Sequence, residues 1–210
     1  MEEFLLINKP VGWTSFDVVG RLRRQYPKGT KVGHAGTLDP FATGLLIVGV
    51  GRDATKRLDE FKNLPKTYEA VLFLGATTDT QDRDGVITPT GIGKEYTEEE
   101  IKEVIKTFIG PQLQIPPMYS AKKINGQKLY DLARKGIEVE RKPSAIEIYN
   151  IELMDYTYPR LKIRVDCSTG TYIRTIGHDI GQKLGCGAYC EELVRTRIGK
   201  YDLKNAQEIK

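Results

Sequence analysis

The stretch GHAGTLDPFATGLL, Gly33 to Leu46, gathers residues that can do chemistry: His34, Thr37, Asp39 and Thr43, set among three glycines. Asp39 precedes Pro40, and a residue before proline is pushed toward extended backbone. The glycines let backbone come close to a ligand. A carboxylate held there beside apolar Leu38 and Phe41 can act as a nucleophile or base at an electrophilic carbon. The same residues also fit an Asp-Pro turn whose carboxylate caps a backbone N–H, and the local features alone favour that turn.

Other patterns point to chemistry less well. Gly49-Val50-Gly51-Arg52-Asp53-Ala54 matches G-x-G-x-x-A after a predicted strand, the setting of a dinucleotide fingerprint. No acid stands where a ribose would need one, since Asp79 lies beyond two threonines. The pattern reads better as a Gly-rich strand-to-helix turn. Thr80 to Gly85 resembles the start of a calcium loop, but Gly91 occupies the position of the last carboxylate ligand, so it reads as a polar turn. Cys186, Cys190 and His178 lack a fourth zinc ligand, and no metal is expected. Three cysteines make no disulfide framework.

The elements that must position these residues follow from periodicity and caps. Phe4 to Ile7 reads as a strand. Thr14 or Ser15 caps a helix to about Tyr26, with Phe16, Val19, Leu22 and Tyr26 on its inner side. Pro27 to Thr43 is a polar loop. Leu45 to Val50 is a buried strand, Asp53 caps a helix through Phe61, and Tyr68 to Leu74 is a strand. Thr97 and Glu100 form a capping box before a helix carrying Ile101, Val104, Ile105 and Phe108, which stops at Gly110-Pro111. A short helix covers Gln127 to Lys135. Ala145 to Asp155 and Leu161 to Cys167 pair as antiparallel strands; Leu161, Ile163, Val165 and Cys167 alternate with polar residues, so one face is buried. Thr171 to Leu184 is a helix ended by Gly185, and a strand returns near Glu192 to Val194. Strands and helices do not alternate regularly, which predicts an α+β fold with a mixed, mostly antiparallel sheet.

With 40% apolar residues the chain can build a core. It has no apolar run near 18 residues and no signal-peptide pattern, so a soluble, cytoplasmic protein is expected. The net charge of +4 is unevenly spread. Arg21, Arg23, Arg24, Lys28 and Lys31 fall in a stretch without acids, and Lys122, Lys123, Lys128, Arg134 and Lys135 form a second basic stretch. Two basic runs flanking Gly-rich loops point to RNA.

The Gly33 to Leu46 stretch closely resembles the catalytic motif of TruB-type tRNA pseudouridine synthases. NKPVGWTS (Asn8 to Ser15), KTYEA and LGATTDTQDRDG (within Lys66 to Gly85), IPPMYSAKKINGQKLYDLARKG (Ile115 to Gly136), GTYIRTIGHDIGQKLG (Gly170 to Gly185) and LVRTRIG (Leu193 to Gly199) resemble that family's other blocks, in order and over nearly the whole chain. The resemblance implies the pseudouridine synthase fold, with helices flanking the sheet around a central catalytic cleft. It implies conversion of uridine 55 in the tRNA T-loop to pseudouridine, with base flipping. Asp39 would attack or deprotonate the ribose. Arg174 would pair with it and keep it ionised. Tyr68 would stack on the target base and serve in proton transfer at C5. Tyr172 would line the pocket and Leu193 would pack on the base. His34 would fill the space of flipped bases, with Lys9, Lys56 and Arg134 as phosphate contacts. No metal or cofactor is implied; the partner is tRNA through its T-arm, and the chain is expected to act as a monomer without a protein partner.

Two departures from the family pattern stand out. The chain stops at Lys210, soon after the last block, so a single catalytic domain over 1–210 without a PUA domain is expected. Tyr189 replaces an expected histidine. The alternatives are a non-catalytic RNA-folding chaperone on the same scaffold, against which Asp39, Tyr68 and Arg174 together argue, and a nucleotide-cofactor enzyme using the Gly49–Gly51 turn.

Overall fold

The computed structural model describes residues 3–120, 122–124 and 126–209. In chain order the elements are β1 (Glu3–Lys9), α1 (Ser15–Arg23), β2 (Val32–Ala35), β3 (Thr43–Val50), α2 (Arg52–Lys56), α3 (Asp59–Lys62), β4 (Lys66–Leu74), β5 (Ala76–Thr78), β6 (Ile87–Pro89), α4 (Glu98–Lys106), β7 (Gly110–Gln114), β8 (Lys123–Ile124), β9 (Gln127–Lys128), α5 (Leu129–Ala133), β10 (Ser144–Thr157), β11 (Arg160–Cys167), α6 (Ile173–Leu184), β12 (Ala188–Ile198), β13 (Tyr201–Asp202) and β14 (Gln207–Glu208). The α+β class is as expected. The residues divide into two compact units, Met1–Glu69 with Leu193–Lys210, and Ala70–Glu192.

In the first unit the strand order is β14-β1-β3-β12, with β2 also on β3 and β13 on β12. β1 and β3 are antiparallel from Glu3↔Val50 to Lys9↔Gly44, while β12 joins β3 in parallel at Val194↔Thr43 and Arg195↔Gly44. β3 is buried along nearly its whole length, as its apolar run requires. Thr14, not Ser15, is the N-cap of α1, in a capping box with Asp17. A period of 3.6 then puts Ser15, Val18, Val19 and Leu22 inside. Phe16, expected inward, lies a third of a turn away and is exposed.

Two further expectations change here. Within the expected Pro27–Thr43 loop, Val32 to Ala35 forms β2 against β3, with His34 opposite Val48; two-residue alternation is too short to show it in the sequence. The expected helix from Asp53 to Phe61 is two short helices. Gly51 is the N-cap of the first at φ 94°, and no side chain caps it; Asp53 instead pairs with Lys56 on the exposed side.

In the second unit the order is β4-β11-β10-β7, with β5-β6 and β8-β9 as small separate hairpins. β10 and β11 are antiparallel, with Leu153 opposite Ile163 and Ile151 opposite Val165. The alternation in β11 buries Leu161, Ile163, Val165 and Cys167 as predicted, each apolar side chain contributing about 1.5–3 kcal/mol by burial. The Thr97–Glu100 capping box is present on α4. Gly185 ends α6 in the left-handed region at φ 84°. The short helix predicted from Gln127 begins at Leu129, because Gln127 and Lys128 pair with β8 instead. The side chains of Lys123 and Lys128 lie outside the described ones.

Candidate active site

The Asp39 loop is fixed by backbone and buried side-chain contacts within the first unit. Leu38 and Phe41 are buried on either side of the half-buried Asp39. The Ser15 hydroxyl accepts from the Leu38 N–H at 2.9 Å and donates to the Leu38 carbonyl at 3.3 Å. The Gly12 N–H donates to the Pro40 carbonyl at 2.8 Å, and the Ala42 N–H to the Asp39 carbonyl at 3.1 Å. The turn expected of Asp-Pro is therefore present, and its carboxylate sits on a restrained frame.

Two buried cations reinforce this frame. Lys9 is 0% exposed, and its ammonium donates to the carbonyls of Trp13 at 2.6 Å, Pro10 at 3.0 Å and Pro40 at 3.3 Å. Lys9, expected as a phosphate contact, is thus buried with its ammonium on backbone carbonyls and not a solvated surface charge. Burial pushes its ammonium down to about 8, Asp39 pulls it back up and Arg195 adds to the fall. Arg195 is 1% exposed. Its Nε donates to the Leu45 carbonyl at 2.8 Å and its Nη2 to the Gly36 carbonyl at 3.0 Å, so it ties β3 to the start of the loop. Gly44 is required beside it: a Cβ there would lie 2.4 Å from the Arg195 carbonyl oxygen, and φ is +106°.

His34, on β2, is half-buried. Burial, then Arg195 and Lys62, push its imidazole down to about 4, so the ring is neutral at neutral pH. Tyr68 is half-buried on β4 and Leu193 is buried on β12. Lys56 is exposed and bridged to Asp53 at 3.4 Å.

Tyr172, Arg174 and Arg134 belong to the second unit. Tyr172 precedes α6 and is held by Gln114: its N–H donates to Gln114 Oε1 at 2.8 Å, and its carbonyl accepts from Gln114 Nε2 at 3.0 Å. Arg174 is 2% exposed. Its Nη1 donates to the Thr80 carbonyl at 2.8 Å and sits 3.1 Å from Asp82 Oδ2, and its Nη2 donates to the Tyr119 carbonyl at 2.8 Å. Arg134 is exposed, with its guanidinium over the Tyr130 ring.

The segment read as a polar turn is one, with Asp82 as its buried residue. Asp82 Oδ1 accepts from the Thr80 hydroxyl at 2.7 Å and the Asp84 N–H at 3.0 Å, and Arg174 supplies the charge. Among the described residues no cluster of His, Cys, Asp or Glu is placed to hold a metal ion, and no helix is long and apolar enough to cross a membrane. The Gly49–Gly51 turn serves packing. A Cβ on Gly49 would lie 3.1 Å from the Ala54 carbonyl oxygen, and the Gly51 N–H is spent on the Lys31 carbonyl at 2.8 Å rather than offered to a phosphate. Tyr189, in place of the expected histidine, is buried and stacks on Phe73 at 5.3 Å.

Residues 23–173 match the N-terminal domain of TruB family pseudouridylate synthases, and residues 174–210 match a tRNA pseudouridylate synthase B C-terminal domain. The chain belongs to the TruB family. Among its TruB relatives, a tRNA pseudouridine synthase B of Dehalococcoides mccartyi (strain CBDB1) is 49% identical over 98% of this chain and 68% of its own length. One from Bacteroides fragilis is 50% identical over 96% of this chain and 88% of its own. Among solved structures, a chain of a Cbf5-Nop10-Gar1 complex superposes with a TM-score of 0.75 at 28% identity over 98% of this chain and 52% of that chain. A chain of an H/ACA RNP bound to a substrate RNA containing 2'-deoxyuridine gives 0.70 at 26% identity, over 98% and 50%. This TruB chain thus spans about half the length of those solved chains. Ser15, Arg195, Asp82 and Gln114 were missed as site residues in the sequence. Ser15, Arg195 and Asp82 lie inside family-like blocks and Gln114 just before one, but only contact geometry gives each a task.

Proposed function

We propose that this chain isomerises uridine to pseudouridine in the T-loop of cytoplasmic tRNA, at position 55, acting as a monomer on the T-arm. The reading is carried by Asp39, a carboxylate presented on a restrained loop in a chain of the TruB family. The reaction breaks the N1–C1′ bond of the uridine, turns the uracil and joins C5 to C1′; the proton lost from C5 is balanced by one gained at N1. Asp39 acts at the ribose as nucleophile or base. The loop's rigidity matters because a group held in place pays little ordering cost at the transition state. Tyr68 stacks on the target base and takes part in the C5 proton transfer, and Leu193 packs on the base. Tyr172 and Arg174, as the resemblance implies, also serve the reaction. His34 occupies space left by flipped bases, with Lys56 and Arg134 contacting phosphate. Incubation with an unmodified tRNA transcript, followed by pseudouridine mapping, tests the proposal. Pseudouridine at position 55 is the expected product. Tight tRNA binding with no pseudouridine would overturn the catalytic reading in favour of an RNA chaperone.

A further inference from the structure

Phe16 is 71% exposed, and its ring meets that of His34 nearly at right angles, with centroids 5.3 Å apart. The pair stands close in the chain to the proposed catalytic carboxylate. Phe16 follows Ser15, Ser15 holds Leu38, and Leu38 precedes Asp39. The imidazole of His34 is neutral, and its Nδ1 is buried without a hydrogen-bond partner, so the ring presents an aromatic surface and not a charge. Beyond Asp17, which is exposed in the first turn, the last turn of α1 and the residues after it are cationic. Arg21, Arg24 and Lys28 are exposed, and no acid occurs from Val18 to Leu38.

From this arrangement we infer that Phe16, with His34, forms an aromatic corner on which an unpaired nucleobase of the RNA stacks, while the α1 arginines meet the adjoining phosphates. This rests on the RNA-modifying reading above. An isolated exposed phenylalanine needs no explanation. One fixed against a second ring, one hydroxyl contact from the reactive loop and beside a cationic surface has the make-up of a single-strand stacking platform. Unpaired loop bases are the parts of RNA free to splay onto such rings.

The test compares the intact chain with Phe16→Leu, Phe16→Trp and Arg24→Gln, titrating a T-arm stem-loop RNA at several salt concentrations and mapping pseudouridine in parallel. Phe16 is exposed, so the variants should keep the thermal midpoint of the unchanged chain. Leucine retains apolar bulk but no ring face, and Phe16→Leu is expected to weaken binding about tenfold. Phe16→Trp should bind within about threefold of the unchanged chain. Neither should alter the slope of log affinity against log salt, whereas Arg24→Gln should make it shallower by about one phosphate contact. If the unchanged chain makes no pseudouridine, the functional reading falls and the corner with it. If it does make pseudouridine and Phe16→Leu binds as well as the unchanged chain, or Phe16→Trp binds as poorly as Phe16→Leu, the corner alone is overturned.

Discussion

Ser15 grips Leu38 from both sides, accepting from its N–H at 2.9 Å and donating to its carbonyl at 3.3 Å. One hydroxyl thereby satisfies both backbone groups of the residue before Asp39. Removing it in Ser15→Ala leaves a buried N–H and C=O unpaired, which costs about 1–3 kcal/mol. Urea unfolding should show that loss, and single-turnover pseudouridine formation should slow as the Asp39 loop loosens. Unchanged stability would show that the grip contributes nothing.

Asp39→Asn should abolish pseudouridine formation while leaving fold and RNA affinity nearly intact. The amide fills the same volume but supplies neither a nucleophile nor a base at the ribose. Asp39 is only half-buried, and Ser15, Gly12 and Lys9 hold the loop through its backbone. Turnover of the variant near that of the unchanged chain would remove Asp39 from its proposed role.

The strand pairing of β10 with β11, the capped starts of α1 and α4 and the glycine end of α6 were legible because each rests on local rules of alternation and capping. β2 was not, since a four-residue strand with glycine inside carries no alternation and exists only by pairing with β3. Phe16 was misplaced because Ser15, a polar residue, occupies the inner face at its expense. The same limit applies to the site. Asp39 and His34 could be named from their motif, but Lys9 looked like any surface lysine. Nothing in NKPVGWTS says that the chain folds over its ammonium, or that Arg195, remote in sequence, lies beneath the same loop.

His34 makes stability depend on pH with a definite sign. Its imidazole is pushed from 6.5 to about 4 in the folded chain, chiefly by burial. Below 6.5 the unfolded chain takes up the proton first, so stability is fully present above 6.5 and is lost as pH falls toward 4. The difference in unfolding free energy between the unchanged chain and His34→Gln should therefore shrink by up to about 3 kcal/mol across that window. A difference that stays flat from pH 7 to 4 would mean that His34 titrates alike in both states.

Arg174 shows how a residue expected for catalysis can also hold its own unit together. Its guanidinium reaches the carbonyls of Thr80 and Tyr119 and the carboxylate of Asp82 in different directions. A lysine ammonium is one point on a flexible stem and cannot span those partners. Arg174→Lys is expected to lose most activity, and also to destabilise the fold. Asp82→Asn should destabilise it too, because it takes a counter-charge away from a buried guanidinium; breaking such a pair costs about 3–5 kcal/mol. The two effects should not add. Once the pair is broken by one change, the second removes little more, and a double-mutant cycle in urea should return a large coupling energy. Pseudouridine formation by Asp82→Asn separates the two tasks. With Arg174 retained but held by the Thr80 and Tyr119 carbonyls alone among those partners, activity should fall through loss of position, and lowering the temperature should recover part of it. Full stability in Arg174→Lys with activity lost would confine Arg174 to the chemistry and remove its structural role.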